Sequence, residues 1–217
     1  IGIDPVEIRR LNLIADDVYP CGSPSGLRFE QLSHHASLTK IVEMMDYRAL
    51  RAEQAILRQK GIHRGIGIAS FIEVTNPSAA FYGVGGAKIS SQDGVAVRLD
   101  AQGSVTCQTS ITEQGQGSEA LTAQIVGSVL GVSLGRVRVI LGDTDMTPYG
   151  GGTWASRGAG IGGEAALQAA KILRKNILDV AAAILQTTPS ELDIADNAVV
   201  NVVDRVPRIE LRELARV

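Results

Sequence analysis

The apolar residues of this chain alternate between two spacings. Leu38, Ile41, Val42, Met45, Ala49, Ala52 and Ile56 recur with a helical period, which predicts one amphipathic helix over Leu38–Lys60 closed by Gly61. Gln116–Leu130 repeats the pattern through Leu121, Ile125 and Val129 and stops at Gly131. The longest helix is predicted over Glu164–Leu185, with Ala166, Ala169, Ala170, Leu173, Ile177, Val180, Ala181 and Ile184 on one face. Lys171, Arg174 and Lys175 form its solvated face. Asp4-Pro5-Val6-Glu7 starts an earlier helix, with aspartate as cap, proline in the first turn and glutamate closing a capping box; Thr188-Pro189-Ser190-Glu191 repeats that signature.

Elsewhere the period is two. Ile66 and Ile68 through Phe71-Ile72 predict a buried strand, and Ala87-Lys88-Ile89, Val95–Leu99 and Ser104–Thr109 alternate as strands, with turns at Asp93-Gly94 and Gln102-Gly103. Val137, Val139 and Leu141 mark another strand and Ala198–Val203 a later one, while Pro207 leads into a last helical turn. Asp16–Ser37 is rich in Gly, Pro and Ser and reads as a long irregular connection. The expected fold class is α+β: an antiparallel strand meander with packed helices. Two regions are expected, a helical lead-in with its connecting loop over 1–62 and an α+β segment over 63–217.

Composition narrows the function. The 21 Lys and Arg nearly balance the 23 Asp and Glu, so a broad basic face for nucleic acid is not expected. No apolar run reaches the length of a bilayer span and no export signal is visible, so the expected setting is the cytoplasm, with Cys21 and Cys107 reduced. Aromatics make up 4% while glycines number 24, a skew that favours loops whose backbone does the binding. The chain opens at Ile1 without methionine, and the expectation is a piece of a longer polypeptide.

Several chemistries fail on spacing. Gly158-Ala159-Gly160-Ile161-Gly162-Gly163 satisfies the dinucleotide pattern G-x-G-x-x-G, yet the preceding strand ends near Leu141 and the next acid, Asp179, falls inside a helix. No Gly-Lys-Ser/Thr follows a glycine run, and no serine elbow accompanies a histidine. Asp143 and Asp145 lack the further ligands of a calcium loop, His34 and His35 read as surface or capping residues, and Cys107 reads as a core residue. What remains is a pair of glycine-rich turns, each just before a helix, the geometry that receives an anion. Gln114-Gly115-Gln116-Gly117 is one, and Trp154-Ala155-Ser156-Arg157-Gly158 is the other. Glutamine amides suit the edge of an amide-rich ring; serine, glycine N–H groups and an arginine suit phosphate.

Glu113-Gln114-Gly115-Gln116-Gly117, then Gly142-Asp143-Thr144-Asp145 and Gly152-Thr153-Trp154-Ala155-Ser156-Arg157, in that order, resemble the molybdenum-binding large subunit of the xanthine dehydrogenase family, nearest its bacterial carbon monoxide dehydrogenase-like members. Asp4–Ile14 and Arg64–Ala69 extend the resemblance over nearly the whole chain. It implies a molybdenum–molybdopterin cofactor, in its cytosine dinucleotide form. Gln114, Gly115, Gln116 and Gly117 would meet the pterin and the metal's ligands, and Trp154, Ala155, Ser156, Arg157 and Gly158 would hold pyrophosphate and pterin through backbone N–H groups. The implied reaction is oxidative hydroxylation of a small substrate, an aldehyde, an N-heterocycle or carbon monoxide, with water as oxygen source. Electrons would leave through an iron–sulfur subunit and an FAD subunit. The family's catalytic glutamate lies beyond this chain, so no catalytic residue and no metal ligand are assigned here, and the remainder of the large subunit is an implied partner. The chain departs from the family at Ser118 and Ala120, where histidine and threonine are frequent. The alternative is a non-catalytic binding or scaffold domain that keeps the fold without the cofactor.

Overall fold

In the computed structural model, residues 2–24, 26–77 and 90–217 are described. They fall into two units, Ile1–Ile72 and Glu73–Val217.

The first unit gathers around Val6, Leu38 and Tyr47, with Leu13, Val42, Met45, Ile66 and Ile68 packed against them. Helix α1 (Pro5–Asn12) starts as its residues dictate: Asp4 accepts the Val6 N–H at 2.8 Å and Pro5 opens the first turn. Glu7 turns to Arg10 at 3.6 Å. The irregular stretch contains a small antiparallel hairpin of β1 (Cys21–Gly22) and β2 (Arg28–Phe29). The single helix expected over Leu38–Lys60 is two, α2 (His34–Met44) and α3 (Tyr47–Gln59), and both histidines sit in the first turn of α2. The break is at Asp46, which takes a left-handed φ of 45° and caps α3 by accepting the Ala49 N–H at 3.3 Å. Tyr47 then turns inward, donating its hydroxyl to Asp4 at 3.0 Å. The apolar period hides the break because Ala49, Ala52 and Ile56 continue the spacing of α2, yet these three are exposed and α3 enters the cluster through Tyr47. The strand expected through Ile66–Ile72 does not form. A side chain takes one of its carbonyls instead, Arg9 donating to Ile68 O, and just before it Gln54 Nε2 donates to Arg64 O at 2.6 Å, while Phe71 is 72% exposed.

The second unit holds β3 (Val95–Leu99) and β4 (Val105–Thr109), paired antiparallel with Val97 opposite Cys107. The expected Ala87–Ile89 strand lies outside the described residues. After β4 the chain crosses through α4 (Ser118–Leu130) and returns as β5 (Val137–Ile140), which pairs parallel to β4, since only a crossover brings a strand back in the same direction. Cys107 is fully buried, and burial pushes its thiol up to about 12, the behaviour of a core residue. Helix α5 (Gly163–Leu185) packs with Ala166, Ala170, Ile177 and Ala181 in a core shared with Val105, Val126 and Leu130. The buried stripe is narrower than the apolar face read from sequence, because Val180 and Ile184 remain 46% and 40% exposed.

The C-terminal part forms an antiparallel sheet, β6 (Leu192–Ala195), β7 (Ala198–Asn201) and β8 (Pro207–Glu210), followed by α6 (Leu211–Leu214). Pro207 thus opens a strand before the helical turn. Arg174 is not simply solvated: with Arg205, at 2.5 Å, it pairs with Asp193. The Arg174 hydrogen bond, then that of Arg205, holds the Asp193 carboxyl at about 2 despite partial burial. The fold class is α+β. Among the described residues no helix is long and apolar enough to cross a membrane.

Candidate functional site

Strand β4 ends at Thr109, and the chain makes the turn 113–117 before α4. Gly115 and Gly117 take φ of 97° and 84°, which side-chain-bearing residues avoid. The turn is held by its own glutamate. Glu113 accepts the N–H groups of Gly115 at 2.8 Å, Gly117 at 2.9 Å and Glu119 at 3.1 Å. The Gly117 and then the Glu119 N–H bonds keep its carboxyl below the usual range. The expected anion cradle at the start of α4 is therefore filled from within by Glu113, and this turn offers side chains outward. Gln116 braces it, donating to Thr112 O at 2.8 Å and Ser118 Oγ at 2.7 Å and accepting the Gln114 N–H at 2.6 Å.

The second loop, 150–158, is bonded to the first. The Thr112 N–H donates to Thr153 Oγ1 at 2.8 Å, the same hydroxyl donates to Thr112 O at 2.7 Å, and Gln114 Nε2 reaches Thr153 O at 3.1 Å. Ala155 and Ser156 follow with φ of 47° and 50°, two successive left-handed residues with side chains, a conformation that needs support from its surroundings. Ser156 Oγ donates to Glu73. Trp154 is half-buried. The five-residue π turn Gly158–Gly162 then leads into α5, and its bonding begins with the Ile161 N–H on Arg157 O at 2.8 Å. The N–H groups of Gly158, Ala159 and Gly160 stand ahead of that first bond. A β-carbon on Gly158 would lie 3.7 Å from Ser118 Oγ, so the starts of α4 and of the α5 turn lie side by side. The positive end of α4 is already met by the Glu113 carboxylate, which leaves that of α5 for an anion.

All nine residues read as cofactor-binding from the sequence lie on these two linked loops, but the Arg157 side chain does not face outward. Its guanidinium is fully buried, with Nη2 2.9 Å from Oδ2 of Asp93, whose side chain is also fully buried. Asp93 read as a hairpin-turn residue. Nothing local marked it otherwise, since its partner is far away in sequence. Glu113 and Thr153 stand within the motifs of the resemblance, which gives them no role: Glu113 caps its own turn, and Thr153 bonds Thr112 once the fold brings the two loops together. Among the described residues no three His, Cys, Asp or Glu side chains gather as metal ligands.

A family model described as a molybdopterin cofactor-binding domain matches residues 40–217. The chain belongs to that family. It is 32% identical over 194 residues to the nicotine 6-hydroxylase large subunit of Paenarthrobacter nicotinovorans, covering 89% of this chain and 24% of that one. The carbon monoxide dehydrogenase large chain of Hydrogenophaga pseudoflava is 31% identical over 200 residues, with 89% and 24% covered. Among solved structures, quinoline 2-oxidoreductase from Pseudomonas putida 86 superposes with a TM-score of 0.64 at 31% identity, covering 99% of this chain and 27% of that one. The chain thus spans about a quarter of the length of these relatives. The groups of this molybdopterin-binding segment fit an anionic, amide-rich ligand: backbone N–H groups ahead of the first bond of the α5 turn, the Gln114 amide with one N–H beyond its bond to Thr153 O, and left-handed backbone at Gly115, Gly117, Ala155 and Ser156, whereas both Nε2 hydrogens of Gln116 are spent within its turn.

Proposed function

We propose that this chain is a segment of a molybdenum hydroxylase large subunit and holds a molybdopterin dinucleotide, in its cytosine form. The observation that carries the reading is the bonding of turn 113–117 to loop 150–158, which sets two helix starts side by side within the span matching the family model. The N–H groups of Gly158, Ala159 and Gly160 would take the pyrophosphate, helped by the α5 dipole. Gln114, with Gly115 and Gly117 bending the turn and Gln116 bracing it, would meet the pterin edge, and Trp154, Ala155 and Ser156 would wall the dinucleotide. Such a cofactor supplies two-electron oxidation of a small substrate with oxygen from water. The substrate class we favour is an N-heterocycle, carbon monoxide or an aldehyde, in keeping with what the relatives are named for. Within this chain the residues bind and orient; the proton-abstracting base is assigned to another part of the large subunit. Iron–sulfur and FAD subunits are the proposed electron acceptors.

The test is to express the full coding sequence in a host that makes the cofactor and measure molybdenum and released cytidine nucleotide per subunit. Near-stoichiometric amounts of both are expected. A folded protein carrying neither would leave the scaffold reading in its place.

A further inference from the structure

Binding and orientation leave one pair of charges without a task. Asp93 lies just before β3 and Arg157 at the end of the glycine-rich loop, and neither side chain touches solvent. Asp93 Oδ1 accepts from Ser110 Oγ at 2.9 Å and from the Gly151 N–H at 3.1 Å, while Arg157 Nη1 donates to Gly152 O at 3.3 Å. Ser110 Oγ in turn accepts the Gly94 N–H at 3.0 Å, which ties the carboxylate to the sheet. The pair thus grips the loop at Gly151 and Gly152 and again at Arg157. Between those grips run Ala155 and Ser156, the two left-handed residues. Nothing larger than hydrogen fits on Gly151, where a β-carbon would come within 1.6 Å of Arg157 Nη1. A buried ion pair is a poor source of net stability, because removing two charges from water offsets their attraction. It is a good source of one defined geometry, since each oxygen and N–H must meet its partner.

We propose that Asp93 is a positioning residue for the cofactor. Through Arg157 and the Gly151 N–H, its carboxylate holds Ala155 and Ser156 left-handed and so keeps the N–H groups of Gly158, Ala159 and Gly160 turned toward the anionic part of the ligand. This rests on the molybdopterin reading. Direct phosphate binding by Arg157 makes the opposite prediction, because freeing the guanidinium from Asp93 would preserve or strengthen binding.

The experiment uses the full coding sequence in a cofactor-making host, comparing the unaltered protein with Asp93→Asn and with the charge-free double variant Asp93→Leu/Arg157→Met. The readouts are molybdenum per subunit by mass spectrometry, nucleotide released on denaturation, and the melting temperature of the cofactor-free forms. The double variant leaves no unpaired buried charge, so its cofactor-free melting temperature is expected near that of the unaltered protein, while its molybdenum and nucleotide fall about tenfold. Asp93→Asn is expected to fall at least as far; where it does not fold, the double variant decides. Full cofactor content in a folded form of either variant overturns the proposal. So does a double variant that cannot fold, because the pair would then be supporting the core. An unaltered protein without molybdenum removes the cofactor reading and this inference with it, a result visible before any variant is compared.

Discussion

The two loops of the site are both stabilised by a carboxylate, yet in opposite settings. Glu113 is exposed and caps the N–H groups of its own turn, a few residues away. Asp93 is buried and holds a loop far along the chain through an arginine. An exposed cap competes with water at every moment, so its contribution is modest and its turn can open locally. A buried pair has no water to fall back on, so breaking it leaves a bare charge in the interior. The turn at 113–117 is thus locally stabilised and adjustable, whereas loop 150–158 is held in one geometry by the fold.

The widest test of that contrast is to remove one charge from the buried pair. Arg157→Met strands the Asp93 carboxylate and is expected to cost about 3–5 kcal/mol of stability, read from the urea midpoint. A cost near zero would mean that the pair is not desolvated. Glycine substitutions sharpen the contrast. Gly151→Ala places a methyl against the guanidinium and should cost about 1–3 kcal/mol through overpacking. Gly117→Ala meets no neighbour within 4 Å and should cost about 1 kcal/mol, from the positive φ alone. Equal effects would erase the distinction between lack of space and backbone strain. The smallest effect is expected for Glu113→Gln, a slight fall in melting temperature at neutral pH. Its signature is in acid. Glu113 has a lowered folded-state pKa, chiefly through the Gly117 N–H, so its contribution is complete above the ordinary glutamate range and is lost as pH falls through the lowered value. The gap between Glu113→Gln and the unaltered protein should therefore close in acid; a gap independent of pH would contradict the capping role.

Local rules explain most of what was legible. The Asp4 cap, the ends of α4 and α5, the Thr188–Glu191 capping box and the hairpin β3–β4 all depend on residues within a turn or two of one another, so residue type and spacing determined them. The two loops proposed to meet the cofactor stand out for the same reason, as glycine and amide clusters before helices. Tertiary structure decided the rest. The break at Asp46 was masked because Ala49, Ala52 and Ile56 continue the apolar spacing of α2 although they stay exposed, and within the missing strand at Ile66–Ile72 the Ile68 carbonyl is taken by Arg9, which no strand propensity reports. The parallel return of β5 followed from the α4 crossover. The inward turn of Arg157 and the role of Asp93 were decided by burial, since a charge can choose its partner only after the fold has removed the water around both.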